Sequence, residues 1–469
     1  MESIHTYQRS QGRVEATDFQ ALAGHDQPFL TQVDRLDLDQ LEATQKAMRQ
    51  QRKAELQGRP AQSVAPVVAK DASIDPSAYY MAYDSSDSAS LGFIAQMAAV
   101  GRVEDFHVVA NCEAESEATK LQRKLPESSV HNVTCVVNPG GHDTWAEDHG
   151  EYTDAGEMVI PAILPADFPI DKLVNKDRVL RFYPKAGPKL GDFSLYPKID
   201  FSIHGSVNDR TTQQEALAGA MATGATAYKM AVSYVEGGNF MPGRLQDGTP
   251  FALVGKDSVA VTAGVLHKGG RKGHSNSDAV KQIARDYGLK PAQVIPVEQP
   301  GEFHIDMAMA LAGPGQVLLN DSRAVADLQK QWINEAYEGK WIQWGKRSQL
   351  QEVERRAEHL ALYENMVESD LKKAGLQVFR VPGCFPASKG NAEMNFFNLR
   401  QGKNAEGESF AVAMGGDERA EKAFAHTLLS EIPAGYQRIH FLDRELTPLT
   451  LDLSGGIKCR SKARVDLPA

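Results

Sequence analysis

From residue 79 onward the chain alternates between two hydrophobic periods. Short apolar runs at 106–110, 133–137, 251–254, 294–297, 317–319 and 378–381 predict buried strands. Stretches at 90–100, 116–125, 211–222, 278–287 and 417–429 predict amphipathic helices. This interleaving predicts an α/β protein. A strand, strand, helix, strand cadence recurs at the level of pattern, although no sequence period stands out by identity. Between 322 and 374 the strands stop. Val325, Leu328, Trp332 and Ile333 make one helical stripe there, and Leu350, Val353, Ala357, Leu360 and Val367 make a second. Ser348 and Gln351 have capping-box spacing, and Gly375 stands where a helix C-terminal glycine would. Trp332, Trp341 and Trp344 are expected to pack this helical insert onto the body. The segment 1–76 is polar and glutamine-rich, with one helix predicted at 37–57. It is expected as a weakly ordered, partly helical N-terminal extension to an ordered domain spanning 77–469.

Composition narrows the class of partner. The 469 residues allow one large repeat-built domain or two ordinary ones. With 42% hydrophobic residues and no apolar run of membrane-spanning length, a globular protein that does not engage a membrane is expected. The net charge of -10, from 51 basic and 61 acidic residues, repels nucleic acid and favours a small cation in any acidic cleft. Cys112, Cys135, Cys384 and Cys459 are too sparse for a disulfide scaffold and lack the paired spacing of a zinc site. A reducing compartment and no metal are therefore expected. The first residues lack the basic and apolar segments of a secretory signal, which makes the cytoplasm the expected location. Delivery or export through the polar extension is the alternative, and the oligomeric state is left open.

Four segments combine glycine with acids, histidine or cysteine in ways that packing alone does not require. Asp143, Glu147, Asp148 and Glu151 place four carboxylates in one loop, so either the loop is solvated or positive charge sits beside it. In Glu236-Gly237-Gly238-Asn239 a glutamate enters a glycine pair, which alone reads as a turn. If His304-Ile305-Asp306 is extended, its histidine and carboxylate share one face and suit acid-base work. Gly455-Gly456-Ile457-Lys458-Cys459 presents a thiol beside two glycines, which is expected to leave the sulfur at the lip of a site. A thiol with a histidine points to acyl-transfer or amidine chemistry. The carboxylates favour the second, because they accept hydrogen bonds from the planar donor fork of a guanidinium and offer nothing to an oxyanion.

In this order the four segments resemble those of the guanidine-modifying enzymes, the superfamily of agmatine deiminase, arginine deiminase and peptidylarginine deiminase. Trp145, Asp148 and Gly150 match the agmatine deiminase run Trp-x-Arg-Asp-x-Gly-Pro, and Glu236 to Asn239 and His304 to Asp306 match intact. Asp247-Gly248-Thr249, Asn395-Phe396-Phe397 and Gly416-Asp417 are similar to further family segments. The resemblance implies a pentein fold, five strand-strand-helix-strand units around a pseudo-fivefold axis. It implies a hydrolase acting on C-N bonds of amidines, a deiminase converting arginine or a derivative into a ureido product and ammonia, with no cofactor. It assigns Cys459 as nucleophile, His304 as acid and base, and Glu236 as the residue orienting His304. Asp148 and Asp306 would grip the guanidinium, with Trp145, Gly237 and Asn239 completing the substrate site. An amidinotransferase using the same S-alkylthiouronium intermediate is one alternative. A non-catalytic pentein that binds a guanidino ligand or a protein partner is another.

Two positions depart from the family. Glu147 replaces an arginine, which would reverse the charge facing the substrate's tail, so a free guanidino compound and a peptide-borne arginine are both implied as substrates. Lys458 replaces the histidine often found before the nucleophile, and Arg460 follows it. On a strand both would point away from the sulfur's face, as solvated strand-end charges or as cations whose charge still lowers the thiol's pKa.

Overall fold

The computed structural model describes residues 4–10, 13–17, 34–35, 37–59, 63–141, 144–161, 217–235, 237–268, 275–300, 304–339, 345–433, 435–451 and 455–465. They form a mixed α/β protein with several small sheets. One arrangement recurs five times: two antiparallel strands, then a helical connection, then a third strand parallel to the second. Glu151–Tyr152 pairs antiparallel with Glu157–Ile160, which pairs parallel with Ala227–Met230. Residues 217–222, just before the third strand, are helical. Phe240–Arg244, Pro250–Gly255 and Val294–Val297 repeat this around helices Lys256–Lys268 and Asn276–Asp286. Met309–Gly313, Gln316–Asn320 and Gln377–Val381 repeat it around the helical insert, and Arg400–Lys403, Ser409–Ala413 and Arg438–Phe441 around helix Glu418–His426. The fifth unit joins the two ends of the chain. Its first strand is Ser461–Val465, antiparallel to Pro76–Tyr83, and helix Ser90–Glu104 leads to the parallel strand His107–Cys112.

The second and third strands carry the apolar runs because helices cover them. Ala252 and Val254 on a second strand and Val294 on a third close with the helical Val259 and Ile283 into one of five apolar clusters among the described residues. Some helices are started by side-chain caps, and one is stopped by a backbone turn. Ser275 and Asp278 form a reciprocal capping box. In the insert, helix Ser322–Ala336 is capped by Asp321, and helix Lys346–Lys373 ends in a Schellman turn at Gly375, where φ is +80°. There the Leu376 N–H reaches Leu371 O and the Gly375 N–H reaches Lys372 O. The expected Ser348 capping box does not form, since the helix already begins two residues earlier, after Gly345. Trp332 is buried against Phe385. Trp341 and Trp344 lie outside the described residues.

The segment before residue 77 contains the expected helix, Leu38–Leu56, but it is tied to the body more closely than its composition implies. Leu41 and Met48 pack in one apolar cluster with Met158 and Met230. The hairpin His5–Ser10 and Arg13–Thr17 adds two strands to the sheet edge at Arg438–Phe441. Among the described residues no helix is long and apolar enough to cross a membrane.

The first strands share a further property. Glu151, Met241, Leu311, Arg400 and Lys462, one from each of the five units, line a single cavity of about 40 Å3. Lys70, Glu147 and Lys458 complete its charged wall.

Candidate active site

The turn before the fifth unit's first strand carries the thiol. Residues 457–460 form turns, with the Arg460 N–H bonded to Gly456 O and the Ser461 N–H to Lys458 O, so the strand begins only at Ser461. Cys459 is buried, at 7% exposure, rather than lying at a lip. The two glycines before it are required by closeness. A side chain at Gly455 would collide with the Trp145 ring, and one at Gly456 would meet Asn398. Asn398 grips the cysteine at two points: its Nδ2 donates to Cys459 Sγ at 3.0 Å, and its Oδ1 accepts the Cys459 N–H at 3.0 Å. Asn395 in turn accepts the N–H groups of Phe397 and Asn398, which fixes that loop.

His304 and Asp306 reach the thiol by a different local geometry from the extended one expected. Ile305–Met307 is a 3-10 turn with His304 at its start. The turn is held by Asn239, whose Oδ1 accepts the Ile305 N–H at 3.2 Å and Gln299 Nε2 at 3.0 Å. The glycine pair before Asn239 again marks close approach. A side chain at Gly238 would collide with the His304 ring, and one at Gly237 would meet the Glu147 carbonyl and Asp148 Oδ1. Glu236 lies outside the described residues, as do Asp143 and residues 301–303 just before the histidine.

The electrostatics of Cys459 report what surrounds it. Burial pushes the thiol above its ordinary value, the negative charge of Asp306 pushes it further, and that of Asp148 adds to the rise. A hydrogen bond with the His304 side chain, together with its charge, opposes them. One histidine and two carboxylates therefore act on one sulfur. Asp306 is buried, and its Oδ1 has no hydrogen-bond partner among the described residues. Trp145 packs on Gly455 and beneath the Arg460 guanidinium, 5.6 Å from the ring centre.

The departures from the family pattern point inward. Glu147 and Asp148 are neighbours on one 3-10 turn, Ala146–His149, and the charge of Asp148 raises the thiol. Glu147 is buried and bonded to Arg400 at 2.7 Å and to Lys70, with Lys462 at 3.7 Å. Burial alone would push this carboxyl up, but the charges of Arg400, Lys462, Lys70 and Lys458 hold it well below the usual range. A carboxylate at this depth requires cations, and Glu147 finds them on the cavity wall. Glu151 joins the same network through Lys70 and Lys462. The positive charge that the acidic loop called for is internal.

Lys458 and Arg460 are likewise buried rather than solvated, because the chain turns where a strand was expected. Lys458 Nζ meets Asp306 Oδ2 at 2.8 Å, and Arg460 is held by Asp87 at 2.6 Å and Thr450 at 2.8 Å. Asn398 and the Lys458 contact are the site features that motif spacing missed. The signal for Asn398 was its place just after Asn395-Phe396-Phe397, whereas nothing in the sequence pairs Lys458 with Asp306. No protein-family model matches this chain, and no curated protein matches it.

Proposed function

We propose that this chain is a deiminase of a guanidino compound with Cys459 as its nucleophile, and that its five units stand around a pseudo-fivefold axis as in the pentein fold. The cavity lined by all five first strands supports the axial arrangement. The observation that carries the function is the meeting of His304, Asp306 and Asp148 at the Cys459 thiol. Two carboxylates beside a nucleophile disfavour its thiolate in the free protein, which is a poor design for a substrate that is neutral or anionic. A bound guanidinium changes the sign. Its N–H groups donate to Asp148 and to Asp306 Oδ1, its positive charge offsets both carboxylates, and the thiolate forms beside the carbon to be attacked.

The thiol's proton passes to His304, the sulfur adds to the guanidinium carbon, and His304 gives that proton to the departing nitrogen, which leaves as ammonia. The S-alkylthiouronium on Cys459 is attacked by water, whose proton His304 takes. Collapse breaks the C–S bond and returns the thiolate, and the hydroxyl proton passes to solvent as the ureido product is released. Asn398 Nδ2, at 3.0 Å from the sulfur, stabilises the thiolate in both steps. Asn239 positions the histidine turn, and Trp145 walls the site next to Gly455.

The test is to incubate the protein and its Cys459→Ala variant with arginine, agmatine, methylated arginines and arginine-containing peptides. Ureido product should form with the wild type in amounts equal to the ammonia, or from a methylated arginine the amine, released from at least one of them. If no compound gives more product with the wild type than with Cys459→Ala, the reading is wrong.

A further inference from the structure

The residue before the nucleophile occupies half of a carboxylate that the mechanism uses. Lys458 is buried, its ammonium takes Asp306 Oδ2 at 2.8 Å, and Asp306 Oδ1 is buried with no hydrogen-bond partner among the described residues. The lysine's backbone is fixed on both sides. Its carbonyl accepts from Arg400 at 2.8 Å and from the Ser461 N–H at 3.2 Å, and its N–H reaches Asn398 O at 3.4 Å. We propose that Lys458 is a positioning residue that ties up Asp306 Oδ2, so that Asp306 presents a single oxygen, Oδ1, to the substrate cation. The inference rests on the guanidino reading given above and adds a specificity device to it.

A free aspartate can receive a guanidinium through two parallel N–H bonds, as a fork. With Oδ2 taken, Asp306 makes one bond, and the resident ammonium repels the incoming cation. Binding is weaker for this reason, but the carboxylate's orientation no longer depends on substrate. The charged and polar groups around this pair are His304 and Asp148 beside the thiol, Asn398 on the sulfur, and Glu147 and Arg400 on the cavity side. Among these, Asp306 is the charge that raises the Cys459 thiol most, and Lys458 is its direct counter-ion.

The experiment compares the wild type with Lys458→Met and Lys458→Arg. Alkylation of Cys459 by iodoacetamide is followed against pH in the absence of substrate, by mass spectrometry of the Cys459 peptide. In Lys458→Met the alkylation profile should move to higher pH by about one unit, because the charge of Asp306 now acts on the thiol without its counter-ion. KM for the substrate found above should fall several-fold while kcat falls about tenfold, since the site gains an acceptor and loses its fixed geometry. Lys458→Arg should keep the wild-type profile. Should Lys458→Met fail to fold, Lys458→Gln carries the same expectations. An unshifted profile in a folded neutral variant, or KM and kcat that both stay at wild-type values, overturns the proposal. The alkylation needs no substrate, so a shifted profile in a protein that turns over no guanidine would uphold the Lys458–Asp306 coupling and sink the guanidino reading instead.

Discussion

Replacing Asp306 by asparagine is expected to lower kcat/KM for the guanidino substrate by about 10^2- to 10^3-fold, the cost of truncating one side of a buried charge pair. The carboxylate has two partners in this account, Lys458 at Oδ2 and the substrate at Oδ1. Asparagine keeps the shape and removes the charge, so the substrate loses its ionic contact and the Lys458 ammonium is left buried without a counter-ion. The same substitution should make the thiol more acidic. It removes the charge that raises Cys459 most and unmasks a neighbouring cation. Alkylation of Cys459 in Asp306→Asn should therefore reach its plateau at lower pH than in the wild type, while turnover falls. A merely misfolded site would lose turnover without this opposite shift, and a profile unchanged or moved to higher pH would contradict the assignment of Asp306.

The second large effect is on stability. Glu147→Ala removes a buried carboxylate shared by Arg400, Lys70 and Lys462, and leaves Glu151 to face Lys70 and Lys462 alone. Breaking a buried ionic network from one side costs about 3–5 kcal/mol, because the remaining charges stay desolvated. Urea unfolding at neutral pH should show a loss of that size. Its pH dependence has a definite sign. The folded Glu147 carboxyl lies well below its ordinary value of 4.5, so its contribution is complete above 4.5 and is lost only as the pH falls through the depressed folded value. The gap between wild type and variant should thus persist below pH 4.5. A gap that closes above that pH would mean that Glu147 is not held by these cations.

Much of the fold was legible in the apolar runs, and several of the strands that escaped share one physical origin. The six strands read from the sequence include second and third strands that helices cover, such as Pro250–Gly255 and Gln377–Val381. The first strands face the charged cavity instead. Arg400–Lys403 reads Arg-Gln-Gly-Lys, Ser461–Val465 begins Ser-Lys-Ala-Arg, and Phe240–Arg244 holds Pro242 and Gly243, so none presents a hydrophobic period. The N-terminal hairpin was missed for a related reason, since an edge pair such as His5–Ser10 is mostly polar.

At the site, residue identity was legible and local conformation was not. Cys459, His304, Asp306 and Asp148 stood out by type and order, and the structure gathers them around one sulfur. A His-x-Asp triplet shares a face on a strand, but here a 3-10 turn held by Asn239 brings the two side chains to the thiol. The direction of Glu147 and Lys458 depended on partners far away in sequence, Arg400 for one and Asp306 for the other. Charge type alone could not place them.

The claim that Cys459 is a covalent nucleophile toward a guanidine is tested most directly by acid-quenching the protein during turnover and weighing it intact. A mass gain equal to the substrate less ammonia is expected, located on the Cys459 peptide after digestion and absent from Cys459→Ala. A bare amidino group on Cys459 would mark amidino transfer instead of deimination. Product formation with no adduct on Cys459, even in a variant such as His304→Gln that slows its hydrolysis, would contradict the account.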